Sequence, residues 1–340
     1  MSTGLKKAMR YIGVFLFTGL LLWLAIANID VKEGETIIGF ISKTWNTAST
    51  PYLLLSAFIA ILSHYFRAVR WKLLLNPIGY PLKSTHSFMS VMVGYFINLA
   101  IPRGGELSRC YNLYKLNKTP VNISFGTVIS ERIIDLFFLL ALIGAVFIIQ
   151  LETFLIFFTK LKFDHPTTDD SSTVFLLLSL SVLVILALLA LFLLKRRKSQ
   201  LFRFTIKLKH FLIGIKSGVF SILKLEKRGL FILYSLLIWI CYYLMNYFVM
   251  QAFPSTSELD LLSALTIFVI GGIALAIPLP GGAGSYHLLV SAGLTMIYAV
   301  ANDQAIAFSV IVHAWQTLIV IVLGVGSLIV SQAYYKSMRK

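Results

Sequence analysis

Three charged residues interrupt the apolar run between residues 121 and 150: Glu131, Arg132 and Asp135, in the sequence Ser130-Glu-Arg-Ile-Ile-Asp. Ionisable groups are costly in hydrocarbon, so each is a functional candidate. On a helix Glu131 and Asp135 share a face at i,i+4, and Arg132 meets Asp135 at i,i+3. Two readings stand: a local ion pair that pins this helix to its neighbours, or a charged cavity wall. A second constellation is Pro102-Arg103-Gly104-Gly105-Glu106-Leu107-Ser108-Arg109. Arg103 and Arg109 offer forked donors suited to phosphate or carboxylate, with Glu106 placed to orient one of them. Paired glycines free backbone N–H groups for an anion. Arg67 and Arg70 end the preceding apolar run one turn apart. Arg67 sits deep enough to extend the cationic patch, whereas Arg70 and Lys72 are expected to snorkel to the interface.

A glycine-dense stretch, Pro278-Leu279-Pro280-Gly281-Gly282-Ala283-Gly284-Ser285-Tyr286-His287, lacks a phosphate-loop lysine and a strand-to-helix context, so it does not read as a nucleotide site. His287 and His313 lie in apolar surroundings. Either each bonds a neighbour in a packed interior, or they form a pair that titrates near neutrality or touches a headgroup. No spacing among these histidines, Glu131 and Asp135 supports a metal site, and no cofactor is expected. Cys110 and Cys241 make neither a disulfide framework nor a metal motif.

These residues need a membrane to hold them. The 340 residues are 58% hydrophobic and only 13% charged, whereas soluble domains carry about 25% charged residues. Six runs approach the roughly 20 residues that cross a bilayer: about 9–28, 51–73, 121–150, 173–194, 229–252 and 303–334. The first reads as an uncleaved helix and not a signal peptide, despite Ala25-Ile26-Ala27 near its end. Two shorter pieces, about 86–101 and 261–277, each end in a proline followed by Gly-Gly: Pro102 with Gly104 and Gly105, and Pro278 with Gly281 and Gly282. Such breaks predict re-entrant hairpins over 86–118 and 261–300, with two tilted helices joined by a turn as the alternative.

The net charge of +16 is unevenly spread. The N-terminus, residues 67–118, residues 195–228 and the C-terminal tail carry 25 of the 30 Lys and Arg residues and only Glu106 and Glu226 as acids. By the positive-inside rule these segments face the cytoplasm, with both termini. The surplus is therefore read as orientation, and nucleic acid is not an expected partner. Residues 195–228 read as a basic amphipathic segment, either attracted to anionic lipid or merely enforcing topology.

Leu99-Ala100-Ile101-Pro102 recurs as Leu275-Ala276-Ile277-Pro278. Each copy follows a Tyr-bearing span and precedes Gly-Gly and another span, but the two hairpins enter from opposite sides. The chain is therefore expected to be one all-α polytopic domain with an inverted repeat, 51–150 and 229–334, and substrate between the hairpin tips.

Arg67-Ala-Val-Arg70-Trp71, Gly94-Tyr95 through Asn98, Pro102-Arg103-x-Gly105-Glu106-x-x-Arg109, Glu131-Arg132-x-x-Asp135 and Pro278-x-Pro280-Gly281-Gly282-x-Gly284 occur in that order. Together they resemble the flippase-like family named after the transmembrane region of lysylphosphatidylglycerol synthase, over nearly the whole chain. Many members have Glu at the position of His287 and Arg near that of His313, where this sequence departs. In the best-known relative this region translocates aminoacylated phospholipid, and a separate soluble domain performs synthesis. Other relatives are tied to polyprenyl-linked sugar lipids.

With only six residues after 334, no synthase domain is expected here, so the resemblance implies transport without enzymatic activity. The expectation is a flippase of a bacterial cytoplasmic membrane for an anionic, aminoacylated or polyprenyl-linked lipid, with an upstream lipid-modifying enzyme as the expected partner. A secondary carrier of a small anion and an intramembrane lipid-modifying enzyme are the alternatives. The expected substrate contacts are Arg67, Asn98, Arg103, Glu106, Arg109, Glu131, Arg132, Asp135, His287 and His313. The hairpin breaks are Pro102, Gly104, Gly105, Pro278, Pro280, Gly281, Gly282 and Gly284.

Overall fold

A computed structural model describes residues 36–151, 213, 220–277 and 279–337. The expected spans 9–28 and 173–194, most of the basic segment 195–228, and Pro278 lie outside the described residues. Among those described, all regular elements are helical. They are α1 (Ile37–Asn46), α2 (Thr50–Leu75), α3 (Ser84–Ala100), α4 (Gly105–Asn117), α5 (Val121–Ile149), α6 (Arg228–Ala252), α7 (Leu261–Ala276), α8 (Ser285–Tyr298) and α9 (Asn302–Ser337). Four are long and apolar enough to cross a membrane: α2, continued by a 3-10 turn to Ile78, and α5, α6 and α9. The protein is thus an all-α, multi-pass membrane protein.

The sequence punctuates these helices plainly. Pro51 starts α2, where a missing N–H costs nothing. After Pro77, Gly79 turns the chain in the left-handed region at φ 89°. Lys118 ends α4 at φ 58°, and Pro120 immediately precedes α5. The Asp260 carboxylate caps α7 by accepting the Ser263 N–H at 2.8 Å. Hydrogen bonding from Ser263 holds the Asp260 carboxyl below its ordinary value. Asp260→Ala is therefore expected to cost about 1 kcal/mol near neutrality. That contribution is present above the unfolded value near about 3.9 and fades as pH falls through the lower folded value. Thermal unfolding in detergent across pH 2–6 checks both the size and the convergence of the two proteins.

The long helices α2 and α6 lie side by side and join two apolar cores. One gathers Ala68, Trp71, Leu75, Val91, Cys110, Leu113 and Val128 from α2 to α5. The other gathers Val249, Phe253, Ile267, Ile270, Tyr286, Val290, Phe308 and Ile311 from α6 to α9. Large apolar side chains such as Leu54, Phe58, Phe137, Ile148, Val322 and Ile329 remain exposed on the long helices. Water would make that costly, whereas lipid tails accept it.

Both short apolar pieces end where the sequence places their breaks. α3 turns through Ile101–Gly104 into α4, and α7 turns through Ile277–Gly284 into α8. The glycines differ in what they do. Gly281, Gly282 and Gly284 take φ of 59°, 77° and 88°, so they supply the turn itself. In the first hairpin the positive φ, 61°, falls on Arg103, while Gly104 is ordinary helix at φ −75°. Gly105 is required instead for close approach, since a Cβ there would run into the carbonyl oxygen of Gly94. The two hairpins meet at their tips: a Cβ on Gly281 would lie 3.2 Å from Leu99 Cδ2.

Candidate functional site

Where α2, α4, α5 and α6 converge, three arginines and two carboxylates are buried together. Asp135 is gripped from both oxygens, by Arg67 Nη1 at 2.8 Å and Arg70 Nη2 at 2.8 Å. Glu131 faces Arg109 Nη2 at 2.7 Å and Arg70 Nε at 3.6 Å. The i,i+4 spacing on α5 thus sets two carboxylates on one face, and Arg70 reaches both. The i,i+3 spacing on α2 sets Arg67 and Arg70 against them. Arg109 arrives from the first hairpin and stacks over Trp71, with Cζ 3.7 Å from the ring centroid. The Trp71 N–H donates to Thr127 Oγ1 at 2.8 Å, which fixes the indole plane.

α6 closes the site. Arg67 Nε donates to the Tyr242 hydroxyl at 3.2 Å, and Arg70 Nη1 donates to Ser235 Oγ at 3.1 Å. The Tyr95 and Tyr242 hydroxyls are 3.4 Å apart, tying α3 to α6. Exposure grades across the cluster. Arg70 and Glu131 are fully buried, Asp135 is 12% exposed, Glu106 17% and Arg132 41%. Arg132 bridges Glu106 at 3.4 Å and touches Asp135 at 4.0 Å, so it forms the rim of a site that opens on one side.

Four guanidiniums thus meet three carboxylates, which leaves one positive charge unbalanced. Two donors are also unspent. Arg109 Nε and Arg132 Nε are buried and meet no polar partner among the described residues, whereas Arg70 Nε, Arg109 Nη2 and the Glu131 oxygens are engaged in the ion pairs at 3.6 and 2.7 Å. The ion pairs to Glu131 are close but not aligned as hydrogen bonds. Buried polar groups normally find partners, and each exception calls for an explanation. Chemically, the cluster is suited to holding an anion that can be charge-matched and hydrogen-bonded by several guanidiniums at once.

Arg67, Arg109, Glu131 and Asp135 are brought together in the buried cluster, with Glu106 and Arg132 at its rim. The reading of Arg70 as a snorkelling residue is corrected: its side chain is fully buried between Asp135, Glu131 and Ser235. Snorkelling needs an apolar face outside the helix, and that face of α2 is covered by α5 and α6. Glu106 orients neither Arg103 nor Arg109 and pairs with Arg132 instead. Arg103 lies exposed on the turn, without an ion-pair partner among the described residues. Asn98 caps α4, its Oδ1 accepting the Gly105 N–H at 2.7 Å.

His287 and His313 form a separate pair beside the second hairpin tip, rings 4.7 Å apart. Among the described residues no hydrogen bond, ion pair or ring contact links them to the arginine cluster. Cys110 and Cys241 are both buried and free. Sequence reading missed Tyr242, Ser235 and Thr127 as partners. The tyrosine density of the span before each hairpin was the available signal for Tyr242; a lone Ser or Thr in an apolar span gives none.

A family model described as the lysylphosphatidylglycerol synthase TM region matches residues 11–324. A UPF0104 membrane protein of Methanocaldococcus jannaschii is 35% identical over 111 residues, 31% of this chain and 33% of that protein. The glycosyltransferase AglD of Haloferax volcanii is 23% identical over 352 aligned positions, 96% of this chain and 55% of AglD. A UPF0104 membrane protein of Methanothermobacter thermautotrophicus is 26% identical over 132 residues, 38% of each chain. The chain therefore spans between a third and about half the length of these curated relatives, all archaeal. No solved structure matches.

Proposed function

Because this chain belongs to the family of the lysylphosphatidylglycerol synthase transmembrane region, we propose that it is a lipid flippase of the cytoplasmic membrane and not an enzyme. Its cargo is a lipid with an anionic headgroup, a phospholipid (aminoacylated or not) or a polyprenyl-linked phosphate. The observation that carries the reading is the buried cluster of Arg67, Arg70, Arg109, Glu131 and Asp135, with unspent donors and an open rim at Arg132. At about 1.5 Å rise per residue, Arg67 and Arg109 lie about 12 Å from the C-terminal ends of α2 and α4, the ends that this reading puts at the cytoplasmic surface. That depth is within the hydrocarbon, where charge is retained for function.

In this reading both termini face the cytoplasm, the hairpins α3–α4 and α7–α8 are re-entrant, and the two halves are inverted copies. Helix lengths support the hairpins. α3, α4, α7 and α8 have 17, 13, 16 and 14 residues, short of the roughly 20 needed to span. Packing supports the repeat. α3 of the first half lies on α9 of the second, where a Cβ at Gly324 would meet Phe96. The mirrored pair, α7 on α5, is also in contact but more loosely, a Cβ at Gly272 reaching Leu139 Cδ1 at 3.2 Å. A phosphate would enter past Arg132, trade water for Arg109 and Arg67, and leave as the hairpins part, while its tails stay in lipid.

The test is reconstitution in vesicles carrying headgroup-labelled phospholipids or polyprenyl phosphates, with movement followed by quenching of the outer leaflet. Protein-dependent movement is expected for at least one anionic lipid. Arg132→Gln, a rim change that leaves the buried cluster intact, is expected to slow it about tenfold, the worth of one charge-assisted hydrogen bond. Equal movement in protein-free vesicles across all these lipids rejects the flippase. A lipid recovered with altered mass assigns the site to an enzyme instead.

A further inference from the structure

Beside the second hairpin tip lie two imidazoles that the anion cluster does not use, His287 buried on α8 and His313 half-buried on α9. His287 is the third residue of α8, and its Nδ1 accepts the Gly284 N–H at 3.1 Å. His313 projects from α9, and its Nε2 lies 3.0 Å from the Gly281 carbonyl oxygen. An amide nitrogen only donates and a carbonyl oxygen only accepts, so these contacts fix both tautomers. His287 holds its lone pair on Nδ1 and its hydrogen on Nε2. His313 also has its hydrogen on Nε2, which leaves His313 Nδ1 as the basic nitrogen not engaged by the turn. The rings are 4.7 Å apart at 67°, and Tyr286 packs on His313 at 5.5 Å.

Few other charges reach this pair. α7, packed along α8, has no ionisable residue, and α9 contributes only His313 at this level. The turn offers backbone groups alone, and Tyr286 is the other titratable side chain in ring contact. Two imidazolium rings this close would repel each other without a carboxylate to balance them, so the pair takes one proton and not two.

We propose that His287 and His313 form a single-proton site whose occupancy sets the shape of the second hairpin tip. A proton on His313 Nδ1 keeps, and charges, the bond to Gly281. A proton on His287 Nδ1 replaces an acceptor with a donor facing the Gly284 N–H, which breaks that bond and uncaps the first turn of α8. The turn between them holds Gly281, Gly282 and Gly284 at positive φ, so small changes in its anchors re-aim it. Gly281, the residue anchored by His313, is also the one that seats on Leu99 at the first hairpin tip. The proton is thus placed to bias the contact between the two hairpins. The consequence for transport rests on the flippase reading; the proton site itself does not.

The experiment has two arms. In detergent, amide hydrogen exchange over residues 281–290 is followed between about pH 8 and pH 3, a range wide enough for imidazoles whose charged form burial disfavours, after correction for intrinsic rates. Wild type is expected to lose protection at Gly284 as pH falls, to the extent that the shared proton populates His287 Nδ1. His287→Asn/His313→Gln keeps an acceptor for Gly284 and a donor for Gly281 but cannot titrate, so its protection should stay flat. In vesicles, movement of the labelled lipid should change with pH by up to about tenfold per unit, the limit for one proton, and the double variant should flatten that profile. Should the double variant not fold, His287→Asn alone, which removes the nitrogen whose protonation uncaps α8 and keeps an acceptor for Gly284, serves in both arms. Identical exchange profiles in wild type and variant overturn the proposal. Retained exchange switching without any lipid movement rejects the flippase and leaves the proton site standing.

Discussion

Asp135→Ala is expected to destabilise the protein by about 3–5 kcal/mol, the range for removing one partner of a buried ion pair. The reason lies in what the carboxylate holds. Each of its oxygens meets a different guanidinium at 2.8 Å, and those arginines come from one face of α2. Both are nearly without exposure, at 4% and 0% for their side chains. Removing Asp135 leaves Glu131 to balance Arg67, Arg70 and Arg109, with Glu131 already engaged by the last two. Two buried cations then face each other one helical turn apart. Tyr242 and Ser235 can accept hydrogen bonds but cannot supply charge. A double replacement, Arg67→Met with Asp135→Leu, removes the mismatch and should cost less than Asp135→Ala alone. Thermal unfolding in detergent compares the two. A double variant less stable than the single one would show that the pair itself, and not the unpaired charge, dominates. Transport should be lost in both, because each removes a wall of the anion site.

The helical scaffold was legible because apolar run length and proline–glycine punctuation are local signals. Four long spans and both short hairpin helices begin and end within a few residues of the sequence reading. The charged residues were harder. Arg67, Arg70 and Arg109 were counted as topology charges on the cytoplasmic side, yet all three are buried. A one-dimensional charge count cannot distinguish a snorkelling arginine from one whose partner sits 65 residues away on another helix, as Asp135 does for Arg70. Glu131 and Asp135 stood out because apolar neighbours made them anomalous. Arg70, near the end of its span beside Lys72, had a bland interfacial reading available. The same limit applied to Asn98, whose work as a helix cap depends on the geometry of the following turn.

The glycines of the first hairpin show how a correct motif can carry the wrong physical reason. Gly104 and Gly105 look like a pair that loosens the backbone, and that reading makes them equivalent. The geometry separates them, and Gly105→Ala is expected to be far more damaging than Gly104→Ala. A Cβ on Gly104 would crowd Ile101 alone, at 2.7 Å to Cγ2, 2.9 Å to Cβ and 3.1 Å to the carbonyl oxygen, so relief requires a shift of that exposed turn residue and not of a neighbouring helix. Its φ of −75° suits alanine and the crowding is confined to one exposed turn residue, so the cost should fall at the low end of overpacking, about 1 kcal/mol. A Cβ on Gly105 collides with the Gly94 carbonyl oxygen and comes within 2.6 Å of Asn98 Cγ. The first is backbone in the middle of α3, and the second is the cap of α4, so neither can yield without moving a helix. Overpacking of this kind costs about 1–3 kcal/mol and sometimes more, and the upper end is expected here because the 2.7 Å Asn98 cap is lost as well. The effect also reaches the anion site. A Cβ built on Gly94 would lie 2.9 Å from Arg109 Cβ, so α3 and α4 touch at Arg109 as well, and pushing α4 off α3 shifts Arg109 from its stack on Trp71 and its contact with Glu131. Gly105→Ala should therefore lose lipid movement even at temperatures where it stays folded, and Gly104→Ala should retain it. Equal melting temperatures and equal transport for the two alanine variants would return the glycine pair to a simple loosening role. Failure of Gly105→Ala alone ties the tight crossing of α3 and α4 to the placement of the arginine.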